Sequence, residues 1–70
     1  LSIDSAEDAI AIEAALARLE RIDARAARVV ELRYFAGLSL EQAAQALGVA
    51  RRTVDRDWEF ARAFLHAELE

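Results

Sequence analysis

Across 70 residues this chain has no proline and only two glycines, Gly37 and Gly48. Proline breaks helices, and glycine supplies the left-handed turns that end them. The chain therefore has few places where a helix is obliged to stop. That argues against a turn-rich β-sandwich, which needs a turn signal about every 8–12 residues, and against a disordered Pro/Ser linker. The 17 alanines and the 56% of hydrophobic residues favour helices packed on helices. The expected fold is all-α. A chain of this length buries only about 60% of its unfolded surface, which allows one small core. Cysteine is absent, so neither a disulfide nor a thiolate metal site can staple it.

Apolar spacing divides the chain into four helices. Residues 1–21 hold the first, beginning near Asp4 or Ser5, with Asp4 and Glu7 spaced for an N-terminal cap pairing; part of this stretch can instead be a linker folding back. One stripe, Ala9, Ile12, Leu16 and Leu19, faces a core. A second, Ile3, Ile10, Ala14 and Ala17, either fills with alanine at the surface or meets a neighbour. Residues 23–36 hold the second helix, capped by Asp23, with Ala26, Val29, Val30, Leu32 and Phe35 apolar and Gly37 as terminator. Residues 39–69 hold a short helix opened by the capping box of Ser39 and Gln42, then a long helix from Arg51. The long helix carries a Val54, Trp58, Ala61, Leu65 stripe, with Trp58 expected as a core anchor. The whole chain reads as a single domain. It opens on Leu1 rather than Met, as a piece of a longer protein would.

The stretch from Leu40 to Trp58 carries the most information. A short helix, a three-residue turn and a longer helix must cross steeply. That crossing needs a small residue where the backbones approach (Ala44), a glycine to open the turn (Gly48) and an apolar plug at the corner (Val49). Leu47 and Val54 lock the pair. These positions match a helix-turn-helix, whose second helix enters the DNA major groove. The candidate DNA-binding residues are Arg51, Arg52, Thr53, Asp55, Arg56 and Glu59, all off the apolar stripe. Arginine reads guanine, a carboxylate can accept from cytosine, and Thr53 can donate to a phosphate. Asp55, Asp57 and Glu59 also have the spacing to pair within the helix with Arg51, Arg52, Arg56 or Arg62. In the second helix, Arg25, Arg28 and Arg33 either form a solvated face with Glu31 or contact phosphate or an acidic partner.

Charge bears on that reading. Nine arginines and no lysines face 13 acids, for a net charge of −4. A net acid is a poor start for nucleic-acid binding. The acid is concentrated in residues 1–20, where Asp4, Glu7, Asp8, Glu13 and Glu20 face Arg18 alone. Residues 21–33 and 51–62 each carry four arginines against fewer acids. Separation by more than about 8–10 Å screens one field from the other at physiological salt.

The segments VVELRYFAGLSLEQAAQALGV and RTVDRDWEFARAFL resemble region 4, the C-terminal domain of bacterial RNA polymerase sigma factors of the extracytoplasmic-function (ECF) class, over roughly Leu16 to Leu69. The resemblance implies recognition of the upstream (−35) promoter element in double-stranded DNA by the last helix. It implies an apolar cleft for the flap-tip helix of the polymerase β subunit, masking by an anti-sigma factor, and a place in the bacterial cytoplasm. On it, Thr53 and Val54 fall on the family's Thr-Val pair. Arg51, Arg52, Asp55 and Arg56 fall on base- and phosphate-facing positions, and Leu32, Tyr34, Phe35 and Leu38 fall in an element that is mostly core. Two features depart from the pattern. Ala50 cannot cap where serine is usual, at a cost of about 1 kcal/mol, and Asp57 and Glu59 stand where basic or neutral residues are commoner. The isolated domain is expected to bind weakly, with a tethered second domain supplying effective concentration.

Two other readings compete. A LuxR-type regulator output domain shares the four-helix grammar, although the tail RDWEFARAFL resembles it less well. A helical protein-interaction module, with the helix-turn-helix kept as scaffold, suits the acidic net charge and the doubly striped first helix. An enzyme is not expected: His66 is the sole histidine, and no nucleophile or glycine-rich phosphate loop accompanies it. The sequence calls for no metal, cofactor or small-molecule substrate, and no run of about 18 apolar residues spans a membrane.

Overall fold

A computed structural model describes residues 6–69, with side chains from residue 9. The helices are α1 (Ala6–Ile22), α2 (Ala24–Tyr34), α3 (Leu40–Leu47) and α4 (Arg51–Leu69). The fold is all-α. The Asp4–Glu7 pairing and Ile3 fall outside the described residues and side chains.

Each break has a local cause. Asp23 adopts an extended backbone (φ −152°, ψ 94°) and separates α1 from α2. Its carboxylate accepts from the Ala26 N–H at 3.1 Å, satisfying a donor that a helix start leaves open. The α2 end unwinds through the Leu38 N–H, which donates to the Leu32 carbonyl at 2.9 Å, with Gly37 at φ +73°. Ser39 and Gln42 form the full reciprocal box. The Gln42 N–H donates to Ser39 Oγ at 3.1 Å, and the Ser39 N–H donates to Gln42 Oε1 at 2.9 Å. Gly48, at φ +69°, closes α3, and the Val49 N–H returns to the Ala44 carbonyl at 3.1 Å. Only glycine takes that left-handed conformation freely.

Two apolar clusters hold the helices. The first joins Ile12, Ala15, Leu16 and Leu19 of α1 to Ala26, Ala27 and Val30 of α2 and to Ala61 and Leu65 of α4. The second joins Val29 of α2 to Ala43 and Ala44 of α3 and Val54 of α4, with Leu47 and Val49 packed on it. Half-buried Trp58 packs against both clusters, as an anchor of the core should. The α1 stripe from Ile12 to Leu19 faces inward, and the second stripe does not: Ile10 is 66% exposed, and Ala14 and Ala17 are exposed with it.

One expectation needs correction. Tyr34 and Phe35 are exposed rather than core, at 41% and 56%. They lie at the end of α2 beside open grooves rather than under a packed face: Tyr34 shares one with Glu59, Arg62 and His66 of α4, and Phe35 shares another with Glu13, Leu16 and Glu20 of α1. Tyr34 still reaches Trp58, with ring centroids 5.6 Å apart.

Candidate nucleic-acid interface

The geometry of α4 follows from its buried stripe. Val54, Asp57, Ala61 and Leu65 are buried along one side. At 100° per residue, Arg52, Arg56 and Glu59 then fall on the opposite side, and all three are exposed. Thr53 and Asp55 lie on the flanks and are half-buried. The α3–Gly48–α4 corner thus projects the first two turns of α4 outward, the disposition a recognition helix needs.

Arg51 sits on the flank beside α3. Its Nε donates to Asp55 Oδ1 at 2.8 Å, and its Nη1 donates to Glu41 Oε2, on α3, at 3.3 Å. The hydrogen bond to Asp55 is the main reason its pKa is raised, partly opposed by desolvation. Arg52 and Arg56 make no ion pair among the described residues.

The α2 arginines are engaged differently from one another. Arg25 Nε donates to Asp57 Oδ2 at 2.5 Å, and its Nη2 donates to Oδ1 at 3.3 Å. That hydrogen bond, then the charge of Asp57, raises the Arg25 pKa. Arg28 lies 3.8 Å from Glu31. Arg33 sits 5.5 Å from the Trp58 ring centroid and donates to the Leu38 carbonyl at 3.4 Å.

Asp57 corrects the expectation of a solvated carboxylate paired within its own helix. It is 6% exposed and pairs across to α2. The signal was present in the sequence: Asp57 stands three residues after Val54 and four before Ala61, on the buried stripe itself. Glu41 was likewise not anticipated as a partner of α4. Elsewhere, Leu16, Ala17 and Phe35 line a groove between α1 and α2 whose polar lining is Glu13, Glu20 and Glu31.

A family model described as ECF sigma factor matches residues 1–70. The chain belongs to the ECF sigma factor family. Its role is therefore a sigma-factor role in transcription, in a family that is not enzymatic and whose members work with DNA and RNA polymerase. No curated protein and no solved structure matches this sigma-factor chain. Among the described residues, no helix is long and apolar enough to cross a membrane.

Proposed function

We propose that residues 1–70 form one helix-turn-helix domain that binds the upstream (−35) element of promoter DNA through the first turns of α4, in the cytoplasm of a bacterium. Of the six candidate residues, Arg52, Arg56 and Glu59 make up the outer side of its DNA-facing surface, with Arg51, Thr53 and Asp55 on the flanks. The observation that carries this reading is the pair of exposed arginines, Arg52 and Arg56, one helical turn apart on the side of α4 opposite its core. Arginines so disposed can reach base edges once the helix enters the groove. Of the α2 arginines, Arg28 is the one left for a phosphate or an acidic partner, because Arg25 and Arg33 serve the fold. The groove at Leu16, Ala17 and Phe35 receives the polymerase β flap, its glutamates favouring a basic flank on the incoming helix.

The test is footprinting of full-length protein on core RNA polymerase at a promoter it transcribes. Protection of the upstream element should fall in the Arg52→Ala/Arg56→Ala variant. Unchanged protection by that variant, with its melting temperature intact, refutes the reading. Phe35→Asp should weaken association with the core enzyme while leaving the fold in place.

A further inference from the structure

Resting on that DNA-binding reading, we infer that Arg51 does not read bases: it is a clasp between α3 and α4, and sequence discrimination rests on Arg52 and Arg56. The argument begins with donor geometry. A guanidinium grips guanine O6 and N7 through two donors side by side, either along its Nε/Nη2 edge or across its Nη1/Nη2 end. In Arg51 the Nε is held by Asp55 and the Nη1 by Glu41. The single Nε hydrogen is committed, which closes the Nε/Nη2 edge; Nη1 has a second hydrogen, so its end is held by Glu41 without being closed. Exchanging either bond for a base would strand a carboxylate where a phosphate backbone approaches.

Direction on the helix leads to the same assignment. Arg51 and Asp55 share the flank of α4 turned toward α3, as the bond to Glu41 requires. Arg52 and Arg56 point away from the core and carry no partner among the described residues. Charge adds a third argument. One cation between two carboxylates leaves that flank net negative, which opposes a phosphate strand there. The clasp therefore sets the angle at which α4 leaves the turn and keeps phosphate off that side, while the outward arginines meet the bases.

The experiment selects duplexes from a randomised pool with full-length protein on core RNA polymerase. Affinities are then measured for the winning sequence and its single-base variants. Melting temperatures check that each variant is folded. Arg52→Ala and Arg56→Ala should each relax discrimination at one or two positions by about 5- to 150-fold. Arg51→Ala should weaken all duplexes by a common factor, leaving the ratios between them within about twofold of wild type. Glu41→Gln/Asp55→Asn, which releases Arg51 and removes two negative charges, should tighten binding to every duplex. Relaxed preference at a single position in Arg51→Ala overturns the assignment, as does unaltered preference in both other arginine variants. Failure of wild-type protein to enrich any sequence is a different result, and overturns the DNA reading together with the assignment built on it.

Discussion

Leu19 is the residue through which the first cluster can be weighed. It is fully buried and belongs to the cluster that joins α1 to α2 and α4. Replacing it by alanine removes the apolar transfer gain and leaves a cavity, for a combined cost of about 2–5 kcal/mol. The surroundings narrow that range. Ala15, Ala26, Ala27 and Ala61 share the cluster, and alanines have no torsions with which to swing into a void. Collapse is therefore limited, and the expected cost is about 3–4 kcal/mol. A domain of this size has roughly 4–10 kcal/mol in all. At about 4–8 °C per kcal/mol, the melting temperature should fall by about 12–30 °C. Thermal melts followed by circular dichroism and by Trp58 fluorescence measure this, with Ile10→Ala as an exposed control expected within about 0.5 kcal/mol of wild type. A cooperative melt for Leu19→Ala within about 4 °C of wild type would refute both the core assignment and the argument that alanine walls stay open.

The Arg25–Asp57 pair should behave as a buried charge that needs its partner: Arg25→Met lowers the melting temperature, and adding Asp57→Leu restores it, as thermal melts of the two variants would show. Gly48→Ala should cost about 1–2 kcal/mol in denaturant titration. The added Cβ meets nothing within 4 Å, so the whole cost is conformational, and Gly48→Asn should recover part of it. Ala50→Ser should stabilise by about 0.5–2 kcal/mol through capping α4, whereas Ser39→Ala should destabilise by a similar amount, both read from chemical unfolding.

The helix ends were legible because their causes are local. Asp23, Gly37, the Ser39–Gln42 box and Gly48 each act on backbone groups within a few residues, so spacing alone identifies them. The inward stripe of α1 was legible for a related reason, since helical period is fixed by backbone geometry. What escaped was set by how the helices pack on one another. Nothing in the α2 pattern says that Tyr34 and Phe35 line open grooves beside α4 and α1 instead of a packed face. Asp57 escaped through its type rather than its position. A carboxylate on a buried stripe is costly unless a cation reaches it, and Arg25, 32 positions earlier, is found only once α2 and α4 are packed. The six candidate DNA-facing residues followed from the same stripe, as its complement. The division among them depends on Glu41, whose reach to Arg51 is again a product of packing.

On the proposed function, bulk attraction is a small part of how this domain would find DNA. On the outer side of α4, Arg52 and Arg56 stand against Glu59, and on the flank beside it Arg51 stands against Glu41 and Asp55, so the surface as a whole is close to neutral. Counterion release scales with the phosphates neutralised, and a balanced face neutralises few. What the fold supplies instead is orientation. Val54 roots the start of α4 in one cluster, Ala61 and Leu65 root its tail in the other, and Trp58 touches both. Asp57 adds a directed bond to α2 between those anchors. A helix fixed at two clusters and by one ion pair loses little freedom when it docks, which lowers the entropic cost of binding. Weak attraction with a preorganised helix suits a reader delivered to its site by RNA polymerase: tethering supplies the concentration, and two arginines carried on an anchored helix supply the discrimination.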